Sequence, residues 1–357
     1  MESEVAMVER ALVALSALGE GVVASRVEVL PPHASPRRYL RVWLEGVDEP
    51  RIAMLLPPAS REAEERGGVL AARVADEPFV VVQRWLETRG LPVPALLGLD
   101  EEQRVLWLED GGPLDLDLAQ QSGGAEAQAI LYGQAVGLAL DWLSGTREGA
   151  PPLVVERSMD AALLRWELEH YREWRLEADL GVTLTQAERS LWEAGVEDIV
   201  DRVMALPQVI VHRDFQSHNL MVRPDGGLLL LDFQDALQGP IVYDVVALLR
   251  DSYVALPDGL LDACMDAWTE GVVARGLVAS GAGQTLREGF WWMTLQRKLK
   301  DAGRFVYIDR VRGNPSFLQW IPRSLGYVAD AMRRVELRED WRQLLLTVDP
   351  GLRDAGS

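Results

Sequence analysis

Apolar residues recur at helical spacing at the start of the chain, where Val5, Val8, Leu12 and Leu15 form a stripe that predicts an N-terminal helix. The period then shortens. SRVEVL (25–30), RRYLRVWLE (37–45) and RIAMLLP (51–57) are short runs bounded by turn residues, and they predict three strands of a small antiparallel sheet. EPFVVVQRWLETRG (77–90) predicts a helix, LPVPALLG (91–98) a proline-bounded link, and QRVLWLED (103–110) the end of a strand pair. Gly111, Gly112 and Pro113 then predict a boundary, with a first lobe over 1–110 and a second over 111–357. The second lobe reads as mostly helical: Leu131, Ala135, Leu138 and Trp142 make one stripe, and Leu164, Leu168 and Tyr171 another. Set into it is one hairpin, NLMVRPDGGLLLLDF (219–233), whose Pro-Asp-Gly-Gly turn joins two apolar runs. The expected fold class is α+β.

Composition changes this picture only at the level of partners and location. A chain of 357 residues with 48% hydrophobic and 25% charged content reads as an ordinary globular protein of two domains or one bilobed unit. Its net charge of −19 would repel phosphate backbones and anionic lipid surfaces, which argues against nucleic-acid and membrane partners. The single cysteine, Cys264, cannot form an internal disulfide and fits a reducing cytosol. The first residues carry acids where a signal peptide needs bases, and no run approaches the roughly 20 apolar residues of a membrane span. A cytoplasmic location is expected.

The chemistry concentrates in VIVHRDFQSHNLM (209–221) and the hairpin that follows it. Phosphoryl transfer needs an oriented acceptor hydroxyl, a carboxylate beside it, and separate oxygen ligands for a metal that neutralises the phosphates. Asp214 would take or direct the acceptor proton, while Asn219 and Asp232, at the two ends of the hairpin, would hold Mg²⁺. Singly, such residues cap helices and shape turns; an H-R-D-x-x-x-x-N loop followed by a hairpin ending in Asp-Phe is a much rarer combination.

HRDFQSHNLM, LLDFQDA and GPIVYDVVALLRDSY resemble the aminoglycoside phosphotransferase and choline kinase superfamily. ASPRRYLRV (34–42) and WWMTLQRKLKDAGRF (291–305), taken with the middle segment, are most similar to the bacterial anomeric kinases of N-acetylmuramate and N-acetylglucosamine. The resemblance implies a two-lobed protein-kinase-like fold and transfer of the ATP γ-phosphate to a sugar's C1 hydroxyl, in salvage of cell-wall amino sugars. It gives Asp214 the catalytic role and Asn219 and Asp232 the metal, and makes His212 and Asp244 supports of the catalytic loop. It sets LWLED at the hinge that offers groups to adenine, so Trp107, Leu108, Glu109 and Asp110 become nucleotide candidates. Another acceptor, such as an aminoglycoside or choline, would keep the same chemistry; a nucleotide-binding pseudokinase is the reading from a different class.

Two positions depart from the wider kinase pattern. Met54 stands where protein kinases carry the lysine that meets the α- and β-phosphates, and no G-x-G-x-x-G loop is present. Ser35, Arg37, Arg38 and Arg41, around the first strand turn, are the candidates to meet phosphate instead, with Arg38 the first choice; the plainer alternative is that these arginines solvate an outer strand face. On the acceptor side, Asp235 could hold a sugar hydroxyl. Arg297 and Lys300, three apart on a helix, could present cations to a carboxylate, or could simply form a solvated face. Lys298 and Lys300 are the only lysines in the chain. Trp291, Trp292 and Trp320 read as core before they read as sugar-stacking platforms. His33, His170 and His218 show no metal-ligand spacing.

Overall fold

The computed structural model describes residues 2–31, 37–57 and 73–355. Ser35 and His33 lie outside them. The chain divides into two compact units. One comprises 1–116, 148–153 and 219–235, the other 117–147, 154–218 and 236–357.

The first unit is built on a five-stranded antiparallel sheet of β1 (Ala24–Val29), β2 (Arg38–Leu44), β3 (Arg51–Leu55), β4 (Leu96–Asp100) and β5 (Val105–Glu109), in the order β1-β2-β3-β5-β4. Side chains alternate across a strand, so Leu40, Val42 and Leu44 share one face and bury it against α1 (Glu4–Val13). The buried stripe of α1 is Met7 and Ala11, continued by Ala14 and Leu15 in the next turn, whereas Val5 and Leu12 are exposed. The helix is thus rotated from the expected stripe: alanines let it approach the sheet closely, and size alone does not mark its inner face. Trp107 of β5 is fully buried in the same cluster, with its Nε1 donating to the Ala14 carbonyl at 2.9 Å. The opposite sheet face carries Tyr39 beside Met54 and Arg41 beside Ile52. Helix α2 (Pro78–Thr88) sets Phe79 4.9 Å from Phe233.

The hairpin, with strands Leu220–Val222 and Leu228–Leu230, belongs to this sheet-bearing unit. The sequence pattern places it in the second lobe instead. Backbone hydrogen bonds explain the difference: Leu230 N donates to the Pro92 carbonyl at 2.8 Å and Val222 N to the Leu114 carbonyl at 2.8 Å. Gly111 lies beneath it, where an added Cβ would meet the Met221 side chain at 2.9 Å.

The second unit is helical, from α3 (Leu116–Gly145, interrupted at Gly124) through α4 (Ala161–His170), α5 (Gln186–Met204), α6 (Tyr243–Leu249), α7 (Asp258–Ala274), α8 (Gly283–Arg312), α9 (Ile321–Arg334) and α10 (Glu339–Val348). Both predicted stripes, Leu131 to Trp142 and Leu164 to Tyr171, are buried. β6 (Gln208–Val211) and β7 (Leu237–Pro240) pair antiparallel within it. α8 is the central helix, with Trp291, Trp292 and Met293 among its buried residues. Together the units give an α+β fold. No described helix is long and apolar enough to cross a membrane.

Candidate active site

In the helical unit, the chain leaves β6 and turns through His212, Arg213 and Asp214. His212 is buried, with its ring 5.2 Å from that of Trp142 and 5.8 Å from that of Phe215, and its Nδ1 accepts the Asp214 N–H at 3.3 Å. Arg213 adopts φ 78°, a left-handed conformation that a side chain disfavours. Asp244, buried at the start of α6, holds this turn: its Oδ2 accepts the His212 N–H at 2.7 Å and its Oδ1 the Arg213 N–H at 3.0 Å. Burial pushes the Asp244 carboxyl up to about 7, against the two backbone N–H bonds and Arg297, with Asp214 adding to the rise. Asp251, at the end of the same segment, accepts Ser217 N at 2.9 Å and Ser217 Oγ at 2.6 Å, so the loop is pinned again three residues beyond Asp214. Asp214 itself is 48% exposed. A carboxylate on a loop fixed by buried charges, and open to solvent, is suited to meet a hydroxyl.

α8 supplies the cations. Arg297 is 1% exposed; its Nη1 donates to the Arg213 carbonyl at 3.1 Å, and its Nη2 lies 3.9 Å from Asp214 Oδ1. Lys298 is fully buried and donates to Asp301 at 2.7 Å and Ser252 at 3.1 Å. Burial lowers its pKa, against the pull of Asp301. The Asp301 carboxyl lies well below the usual range: burial would raise it, but Lys298, Lys300 and Arg297 outweigh that. Lys300 is 16% exposed and 3.4 Å from Asp301. Its pKa is raised, because Tyr243, Asp301 and Glu167 outweigh burial. The solvated cationic face is thus excluded, because these side chains form a buried charge network. Sequence reasoning misses Asp251 and Asp301. The seven-residue step from Asp244 to Asp251 is the available signal.

In the sheet-bearing unit, Leu231 N donates to the Asn219 carbonyl at 2.9 Å, which closes the hairpin and brings Asn219 and Asp232 to the same end of it. Asp232 is left-handed (φ 63°), and its Oδ1 accepts from Gln234 Nε2 at 2.7 Å. Asp235 is exposed in the single turn that follows. The carboxamide and carboxylate supply hard oxygen donors, a type that fits Mg²⁺ completed by water and phosphate oxygens.

The arginines of β2 part company. Arg38 shares the parity of Leu40 and Val42 and so lies on the α1 side of the sheet. Arg41 is engaged with Asp110 through Nε and Nη2, the latter at 3.1 Å, and with the Gly112 carbonyl at 3.1 Å. Arg37 hydrogen-bonds Tyr39, whose hydroxyl pKa burial raises; Arg37 opposes that shift and the field of Asp232 adds to it. Among the hinge candidates, β5 lies between β3 and β4, so Trp107 and Leu108 sit in ladders on both sides. Glu109 Oε1 accepts Arg223 at 2.7 Å, and Glu109 N donates to the Ala95 carbonyl. The first backbone beyond the ladders is that of Asp110.

The chain belongs to the phosphotransferase enzyme family, which matches residues 26–277. It is 30% identical over 329 residues to an N-acetylmuramate/N-acetylglucosamine kinase of Pseudomonas putida, covering 91% of this chain and 88% of that one. It is 34% identical over 262 residues to the kinase of that name from Neisseria meningitidis, covering 72% of this chain and 75% of the relative. Its fold is similar to that of a choline kinase from Streptococcus pneumoniae, with TM-score 0.59 and 13% identity, over 91% of this chain and 99% of that one.

Proposed function

We propose that the protein is an ATP-dependent kinase that phosphorylates the anomeric hydroxyl of N-acetylmuramate, N-acetylglucosamine or both. The observation that carries the reading is Asp214, half exposed on a loop whose backbone is held by the buried Asp244. The names of the relatives supply the acceptor class.

Asp214 takes or directs the proton of the attacking hydroxyl. The anomeric hydroxyl is the most acidic on a hexosamine, because the ring oxygen withdraws charge from C1, so it demands least of a carboxylate. Asn219 and Asp232 would hold Mg²⁺, which neutralises phosphate charge when bound. Arg37 is the best placed of the three β2-region arginines to meet phosphate, being the one that pairs with Tyr39 on the Asp232 side. Asp110 and the backbone beyond it would meet adenine. Lys300, with Asp235, remains the candidate for acceptor contacts, and a cytoplasmic location would supply ATP.

The test is product analysis with ATP and each sugar. Phosphorus coupling to the proton on C1, loss of reducing-sugar reactivity, and no turnover of the 1-O-methyl glycoside are expected. Coupling to the protons on C6 would sink the anomeric assignment. Nucleotide binding without turnover of any sugar, aminoglycoside or choline would favour a nucleotide sensor, the role to which Met54 at the usual lysine position points.

A further inference from the structure

We propose that Arg297 is a positioning residue for Asp214, holding the catalytic loop through the Arg213 carbonyl, and not a ligand of the acceptor's carboxylate. The inference rests on the phosphotransfer reading of Asp214 given above. Arg213 sits in a left-handed conformation that its side chain disfavours, so its geometry must be imposed by neighbours. Both of its backbone polar groups are held by buried charges. Asp244 accepts its N–H at 3.0 Å, and Arg297 Nη1 donates to its carbonyl at 3.1 Å. The next residue is Asp214, so the peptide plane that carries the catalytic side chain is fixed by this second bond.

Arg297 is itself fixed. Its guanidinium lies 4.7 Å over the Tyr243 ring, and Tyr243 immediately precedes Asp244 on α6, so the two supports of the loop are braced against adjacent residues of one helix. Its Nη2 is 3.9 Å from Asp214 Oδ1, too far for a hydrogen bond. Asp301 and Glu167 also face the guanidinium, and with Tyr243 and Asp214 they outweigh burial to keep it charged. At 1% exposure, with its cationic face on the loop, Arg297 offers a ligand little surface. Lys300, one helical turn on, is the more exposed cation.

The experiment compares the wild type with Arg297→Met and Arg297→Lys, using ATP with N-acetylmuramate, which carries a carboxylate, and N-acetylglucosamine, which does not. A positioning role predicts that Arg297→Met lowers kcat by about 10²-fold with both sugars alike, with KM for ATP and for each sugar within a few-fold. Arg297→Lys keeps the charge but loses the planar fork, and recovers part of kcat. Hydrogen exchange of the peptide covering 212–216 is read in parallel and needs no turnover: in both variants protection falls there and is kept in α8 and β6. The proposal is overturned by kcat within twofold of wild type, by unchanged exchange at 212–216, or by a KM increase confined to N-acetylmuramate. Should Arg297→Met not fold, Arg297→Lys carries the same comparisons. A wild type that phosphorylates neither sugar counts against the functional reading, while the exchange result still decides the role of Arg297.

Discussion

Replacing Asp244 by Asn tests both the support of the catalytic loop and the electrostatics of its burial. The native carboxylate accepts two backbone N–H groups, one on each oxygen, at 2.7 and 3.0 Å. An amide presents a donor in place of one oxygen, so one of these bonds is lost and the loop loosens; kcat should fall by about 10-fold or more. Stability moves differently. Burial pushes the carboxyl from 3.8 up to about 7, a rise of some three units, or about 4 kcal/mol. Because the folded value is raised, folding takes up a proton between these limits: the contribution is fully present below about pH 4 and is lost as pH rises through about 7. Asn does not titrate. The stability of the wild type relative to Asp244→Asn should therefore fall by roughly 2–3 kcal/mol between pH 5 and pH 7, measured by denaturant unfolding of both proteins. The protonated carboxyl has the donor pattern of the amide, so wild-type kcat should decline as pH drops through about 7 and the variant should lack that limb. A stability difference constant across this window, or a limb near pH 7 retained in the variant, would refute the reasoning.

Asp214→Asn should keep nucleotide binding while kcat drops by roughly 10²- to 10⁴-fold, measured by calorimetry and coupled assay. Asp232→Asn should weaken Mg²⁺-dependent nucleotide affinity as well as turnover, seen by titrating nucleotide with and without the metal. Arg37→Ala should raise KM for ATP more than Arg38→Ala, because Arg38 lies on the α1 face of the sheet; equal effects would leave the phosphate partner elsewhere. Asp349, fully buried, accepts from Tyr171 Oη and from Arg175 Nε and Nη2, each at 2.9 Å; Arg175 also pairs with Asp179, so Asp349→Ala should cost about 1–3 kcal/mol in unfolding experiments, chiefly by leaving the buried Tyr171 hydroxyl without its acceptor.

What the sequence discloses and what it hides follow from the range of the interactions. The meeting of Asn219 and Asp232 is legible because both lie at the ends of one short hairpin, whose turn itself announces that its ends meet. The preference for Arg38 overlooks a local signal, since parity with Leu40 and Val42 already marks its side of β2. Arg41 with Asp110 cannot be read, because 69 positions separate the partners and only sheet register brings them together. The buried charges of α8 are hidden for a related reason. Arg297, Lys298, Lys300 and Asp301 look like the outer face of a helix until the elements packed around α8 are known, and then their pairing keeps them charged in the interior.

The hairpin's place in the sheet-bearing unit also sets the order in which that unit can be completed during synthesis. Residue 230 hydrogen-bonds residue 92, and residue 222 hydrogen-bonds residue 114. The five strands leave the ribosome first, but the hairpin follows only after more than a hundred further residues, on the order of ten seconds later at ordinary elongation rates. Through that interval the carbonyls of Pro92 and Leu114 lack their final partners and the ground beneath Met221 and Leu229 is uncovered. The sheet-bearing unit is consequently incomplete until then, and a chain cut before residue 219 should remain so, however well its own strands pair.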